Sequence, residues 1–219
     1  MMRSDVGLLA IDSARTRAYL RAMLANALLP GQAILLADGS AADGTSSTLD
    51  LVQRADIPHV ILRTSDVNSA EVIEAVRKSP ARVFVYSGPP GTILHRAMLS
   101  SGKQFLHIHP GIVPEFRGST TLYYSLLREG TCGASALWLN ERIDGGPVIA
   151  TRAYPAPLDR STMDDEYDPC IRADLLVQVL KRYQADGGLP AFPQSETGGE
   201  TYHIVHPVLK HIAILAGSG

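Results

Sequence analysis

Cysteine is scarce in this 219-residue chain: there are two, Cys132 and Cys170, and they do not form a Cys-x-x-Cys pair. A disulfide framework is excluded, and both read as ordinary reduced thiols of a cytoplasmic protein. Runs of Lys or Arg are also missing, and the formal net charge is -2. That argues against a nucleic-acid or anionic-membrane partner, because phosphate backbones are held by clustered positive charge. The apolar run Val6 to Ile11 is flanked by Asp5 and Asp12, too short for a signal core or a membrane span. Asp12-Ser13-Ala14-Arg15 follows that run where a dinucleotide-binding chain would carry Gly-x-Gly-x-x-Gly, so that fingerprint is absent.

What is present is a globular composition, 45% hydrophobic and 19% charged, able to bury one sizeable core. Short apolar runs alternate with helical patterns. Val6 to Ile11, Ala33 to Ala37, His59 to Leu62 and Arg82 to Tyr86 suit buried strands. Between them Ser13 offers an N-cap for a helix with Leu20, Met23, Leu24, Ala27 and Leu28 at helical spacing, and Ala70, Ile73 and Val76 repeat the signal. The stretch from Asp38 to Thr48 reads as a mobile loop. Ser87-Gly88-Pro89-Pro90-Gly91 is an irregular turn predicted to lead into a helix with Ile93, Leu94, Met98 and Leu99. Ser119 is the expected cap of a helix through Leu127 that ends at Gly130, and Asp168-Pro169 is the expected N-cap and first position of a helix that stops before Gly187. Ala134 to Leu139 and Val148 to Tyr154 read as an antiparallel pair. The expectation is an α/β fold: a mostly parallel sheet flanked by helices with right-handed crossovers.

His107-Ile108-His109-Pro110-Gly111 ends one strand, and Arg142-Ile143-Asp144-Gly145-Gly146-Pro147 lies in a later loop. In a strand, side chains alternate faces, so His107 and His109 share one surface. An Asp beside a His fixes its tautomer and raises its basicity, which makes His109 and Asp144 a candidate proton-transfer pair. The plainer alternative is a His109 hydrogen bond to a loop carbonyl and an Asx-turn at Asp144. The His-x-His pair also admits a metal, with Asp144, His203, His206 or His211 as further ligands, although packing near the terminus explains the last three as well. Asp159, Asp164, Asp165, Glu166 and Asp168 either attract a cationic amine or complement the following helix dipole; the second is preferred.

The run from Arg82 to about Pro157 resembles the catalytic core of the 10-formyltetrahydrofolate-dependent formyltransferases. The family's Asn-x-His-Pro-Ser-Leu-Leu-Pro stands here as His107-Ile108-His109-Pro110-Gly111-Ile112-Val113-Pro114, followed by Arg117-Gly118, Gly133 and Ile143-Asp144-Gly145-Gly146-Pro147. The resemblance implies a Rossmann-like half over about 1–103, a catalytic half over 104–190 and an extension over 191–219, all within one domain. It implies a catalytic trio of His107, His109 and Asp144, with His107 in place of the family Asn as oxyanion donor. Gly111 replaces the family Ser and is expected to open space for a different acceptor. The resemblance also implies 10-formyltetrahydrofolate as formyl donor, lying along Tyr86, Ser87, Gly88, Pro89 and Gly91 and along Ile143 and Gly145, with the acceptor near Gly111, Arg117 and Gly118. A chain ending at Gly219 without a basic extension disfavours transfer RNA, which leaves a small-molecule amine, on a sugar nucleotide or secondary metabolite, as the acceptor. A homodimer is compatible with all of this. The rivals are a metal-dependent hydrolase built on His107 and His109 and a catalytically silent ligand-binding relative; no metal is expected.

Overall fold

The computed structural model describes residues 4–37, 47–195 and 198–216. The chain divides into two compact units, Met1–His107 and Ile108–Gly219. In the first, five parallel strands lie in the order β3-β2-β1-β4-β5, formed by β1 (Val6–Ile11), β2 (Gln32–Leu36), β3 (His59–Leu62), β4 (Val83–Ser87) and β5 (Gln104–His109). Helices α1 (Ala14–Ala25), α2 (Thr48–Arg54), α3 (Ala70–Lys78) and α4 (Arg96–Leu99) connect them. The central strands are apolar on both faces, as parallel strands covered by helices must be: Leu8, Leu9, Phe84 and Val85 are fully buried.

The second unit begins inside β5. It contains β6 (Phe116–Gly118), α5 (Thr121–Glu129), β7 (Thr131–Trp138), β8 (Val148–Pro155), a π-helical turn at Met163–Tyr167, α6 (Asp168–Asp186), β9 (Glu200–Tyr202) and α7 (Pro207–Leu215). Strands β7 and β8 pair antiparallel, as their alternation predicted, while β6 and β9 form a small parallel pair. Leu122, Tyr123, Leu126, Cys132, Met163 and Ile171 pack as one cluster, and burial pushes the Cys132 thiol up to about 11, leaving it inert. Among the described residues no helix is long and apolar enough to cross a membrane.

Several element ends differ from the sequence expectation, each for a local reason. Helix α1 stops at Ala25 because Asn26 caps it and Ala27 takes a positive φ of 56°, so Ala27 and Leu28 fall outside it. Helix α4 begins only at Arg96: Asn68 accepts the His95 amide N–H and donates to the Ile93 carbonyl, holding the preceding residues non-helical. The cap of α5 is Thr120 in place of Ser119, and Asp168 is already helical because a π-helical turn runs into α6. Residues 38–46 of the expected loop lie outside the described residues, and Thr48 already belongs to α2.

The turn after β5 is fastened to β7 by one side chain. Ser135 is fully buried; its hydroxyl donates to the Gly111 carbonyl at 2.6 Å and accepts the Val113 N–H at 3.1 Å. Ser135→Ala leaves both backbone groups unpaired and should cost about 2 kcal/mol of unfolding free energy in denaturant titration. A loss under about 0.5 kcal/mol would mean that the turn does not depend on this hydroxyl.

Candidate active site

His109 sits at the C-terminal end of β5, where an α/β sheet presents its ligands, and is 2% exposed. Its Nε2 lies 2.6 Å from the Phe116 carbonyl, and its Nδ1 lies 3.3 Å from Asp144 Oδ2. A carbonyl can only accept, so Nε2 carries a proton there; a carboxylate also only accepts, so an imidazolium satisfies both ends at once. The two readings offered for His109 therefore hold together: it bonds a loop carbonyl and it pairs with Asp144.

Asp144 is aimed by backbone conformation. It adopts the left-handed region, φ 46°, which Asp and Asn tolerate better than most residues. Its Oδ2 also accepts the Gly118 N–H at 2.9 Å. Gly118, φ 98°, has no room for a side chain, since a Cβ would stand 2.1 Å from the Tyr202 carbonyl. Strand β6 thus uses each of its residues: Phe116 holds one nitrogen of His109, Gly118 holds the carboxylate on the other, and the Arg117 side chain turns to Gln194, whose Oε1 accepts Arg117 Nε–H at 2.9 Å.

Three residues here had not been expected from the sequence. Gln194 Nε2 donates to the carbonyls of Asp144 and Gly146 at 2.6 and 2.7 Å, so it ties the Asp144 loop to Arg117. Arg172, 4% exposed, donates Nε–H to the Ile108 carbonyl at 2.8 Å, between the two histidines, and pairs with Asp168 at 3.2 Å. The Asp168 to Arg172 spacing of i,i+4 was a readable signal for that pair; Gln194, fifty residues from Asp144, had none. Thr121 donates to the Pro110 carbonyl and lies 3.5 Å from His109 Nε2.

Other expected site residues fall in two places. In the first unit, Ser87 accepts from Arg15 Nε and bonds the Thr16 hydroxyl, both at 2.8 Å, and Arg15 also donates to the Gly88 carbonyl at 2.6 Å. A Cβ on Gly88 would stand 2.3 Å from the Tyr86 hydroxyl, so Tyr86 folds back over that glycine, with its ring 6.1 Å from that of His107. Pro89 and Gly91 follow in the turn, Gly91 with φ 71°. The Tyr86 hydroxyl is buried without a partner among the described residues, and burial pushes it up to about 12 against the opposing pull of Arg15, so it stays a protonated donor. In the second unit, Arg117, Arg142, Ile143, Gly145, Gln194, Ser195 and Thr201 line a cleft of about 570 Å³.

One expectation changes. The Cβ position of Gly111 is filled: it would meet the Phe116 carbonyl at 2.7 Å, His109 Nε2 at 2.9 Å and Thr121 Oγ1 at 3.0 Å. Gly111 therefore opens no space for an acceptor; it lets the Phe116 carbonyl reach His109. His206 serves as the N-cap of α7, its Nδ1 accepting the Val208 N–H at 3.2 Å, a packing role near the terminus of the kind expected for it.

With that geometry in place, comparison with known proteins decides the family: residues 39–168, more than half of the chain, match the formyl transferase family model. The chain belongs to the formyl transferase family. Over 136 residues it is 34% identical to methionyl-tRNA formyltransferase of Chloroflexus aurantiacus, covering 60% of this chain and 42% of that protein. The chain thus spans less than half the length of the curated relative it matches. By structure it is similar to phosphoribosylglycinamide formyltransferase from Anaplasma phagocytophilum, with TM-score 0.68, 16% identity, and 94% and 100% of the two chains covered. It is likewise similar to the N-formyltransferase from Helicobacter canadensis in complex with folinic acid and dTDP-3-aminofucose, with TM-score 0.65, 15% identity, and 91% and 71% covered. At these identities the structural likeness establishes the shared fold. That fold of the formyl transferase family has the α/β, mostly parallel architecture expected from the sequence.

If Gly111 is the spacer between the Phe116 carbonyl and His109, Gly111→Ser pushes those groups apart. It should lower unfolding free energy by about 1–3 kcal/mol, the usual cost of overpacking. Wild-type stability in the serine variant, with the His109 ring resonances unmoved by NMR, would refute the spacer role.

Proposed function

We propose that the chain transfers a formyl group from 10-formyltetrahydrofolate to the amine of a small molecule, on a sugar nucleotide or another metabolite. The observation that carries this reading is the buried His109–Asp144 pair, closed from behind by β6, in a chain of the formyl transferase family. When bound, the folate supplies an activated formyl carbonyl. The residues of the first unit fit such a donor: the buried Tyr86 hydroxyl is a neutral donor without a partner among the described residues.

Transfer to an amine asks for a positive N–H donor toward the oxygen that gains charge and for a group that takes the amine proton. His107, partly exposed on the same strand face as His109, supplies one N–H. His109 supplies the cationic one when its Nε2–H exchanges the Phe116 carbonyl for the substrate oxygen, a swap of one acceptor for another. Asp144 keeps the Nδ1–H in place during that swap and relays through water the proton that the amine loses, so that it ends on N10 of the folate as the bond from N10 to the formyl carbon breaks and the new amide bond remains on the acceptor. A small acceptor is supported by the net charge of -2 without a basic run. Reduced thiols and a cytoplasmic setting accord with a folate-dependent enzyme.

A second reading rests on one observation. His107 and His109 stand two residues apart in β5, a His-x-His spacing that puts both on one strand face and also suits a divalent cation and hydrolysis. Elemental analysis of the purified protein separates the two.

Asp144→Asn should retain the fold and lower turnover at least about a hundredfold, since the amide no longer charges and orients His109; turnover near wild type on the true acceptor removes Asp144 from the mechanism. His107→Ala should cost about 3 kcal/mol of transition-state stabilisation, whereas His107→Asn, which restores the family's residue, should keep substantial activity. Stoichiometric zinc or iron that both His107 variants release would instead favour the hydrolase.

A further inference from the structure

Both supports of the His109–Asp144 pair come from one short strand. The Phe116 carbonyl meets Nε2, and the Gly118 N–H holds the carboxylate that meets Nδ1. Strand β6 has three residues and pairs with another strand of three, β9, far along the chain; so small a pair is marginal by itself. Gly118 adds its own freedom, since at φ 98° it occupies a region that glycine enters and leaves at little cost. Something outside β6 must therefore hold the two groups within the narrow geometry of a hydrogen bond.

Tyr202 of β9 reaches both ends of that strand. Its ring stacks on the ring of Phe116, with centroids 5.7 Å apart and planes 19° apart, and lies 4.4 Å from the ring of Tyr124 on α5. Arg128, also on α5, donates to the Tyr202 hydroxyl and sets its guanidinium 5.6 Å from the centre of the Phe116 ring. The Tyr202 carbonyl accepts the Ser119 N–H at 2.9 Å and fills the space beside Gly118, which removes the freedom of that glycine. Just beyond, the buried Val205 donates its N–H to Thr120 Oγ1 at 2.8 Å. That bond holds Thr120 in the left-handed region, φ 52°, where a β-branched residue is rare. Tyr202 is thus the residue that ties the strand supporting His109 to the helix that follows it.

We propose that Tyr202 is a positioning residue for the His109–Asp144 pair: stacked on Phe116 and closed over Gly118, it sets the direction of the Phe116 carbonyl and of the Gly118 amide, and through them the place of the His109 ring protons. The stacked ring and the backbone carry this role. The hydroxyl is bonded to Arg128, which is exposed, and contributes little. What the pair is used for rests on the formyl-transfer reading, whereas its positioning is measured on the pair itself.

The test reads the His109 ring N–H signals of the ¹⁵N-labelled full chain by NMR, identified by their loss in His109→Gln. Tyr202→Ala should move these signals and speed solvent exchange of the Nε2 proton at least about tenfold, because its carbonyl partner is no longer held. Tyr202→Phe, which keeps the stacked ring, should restore wild-type exchange to within about twofold. Val179→Ala, a cavity in the buried face of α6, lowers stability by packing alone and should leave the signals in place. If Tyr202→Ala does not fold, Tyr202→Leu, which keeps bulk without an aromatic face, is read in the same way. The proposal is overturned if the His109 signals and exchange are unchanged in the Tyr202 variants, if Val179→Ala at equal loss of stability speeds exchange as much, or if Tyr202→Phe fails as Tyr202→Ala does. No turnover enters these measurements. Intact turnover in Asp144→Asn would sink the chemistry and leave the positioning standing, while unmoved His109 signals in Tyr202→Ala with abolished turnover in Asp144→Asn would sink the positioning alone.

Discussion

A buried histidine ring with an acceptor at each end is the constraint around which the second unit is arranged. His109 cannot sit between the Phe116 carbonyl and the Asp144 carboxylate unless both acceptors are held still, and each is held by something that has no other evident duty. The Phe116 carbonyl comes close because Gly111 has no side chain. The carboxylate is fixed by the Gly118 amide, whose own approach to Tyr202 requires glycine. Two glycines and a left-handed Asp are therefore consequences of one imidazole. They are the strained or permissive positions expected where a site is organised ahead of its ligand.

Charge is managed with the same economy. Arg172 is buried, yet it is paired with Asp168 and spends its Nε–H on the Ile108 carbonyl, so it stiffens the strand between the two histidines. Breaking such a pair from one side leaves an uncompensated buried charge, which makes Asp168 and Arg172 as structural as the apolar cluster beside them. Arg117 and Arg142 are treated in the opposite way, held by neutral groups or by their stems and, among the described residues, left without a carboxylate.

Much of this was legible in the sequence. The alternation of apolar runs gave away the parallel strands because period and length agree there, and the motif of the formyl transferase family singled out His109 and Asp144, which the structure brings together. What stayed hidden was carried by backbone or by distance. The Phe116 carbonyl has no side-chain signature, and the expectation that Gly111 makes room for an acceptor failed because backbone fills that room. Gln194 reaches the Asp144 loop from a segment with no periodic pattern. Helix ends slipped where a polar side chain such as Asn68 outcompeted helical hydrogen bonds, a contest that propensity alone does not decide.

The central claim is that His109 and Asp144 act as one unit, and a double-mutant cycle in unfolding free energy tests it without any substrate. His109→Gln, Asp144→Asn and the double variant are compared with wild type by denaturant titration. A coupling energy of about 1–3 kcal/mol is the result predicted for groups in direct contact. Additivity within about 0.5 kcal/mol, the behaviour of independent sites, would contradict the account.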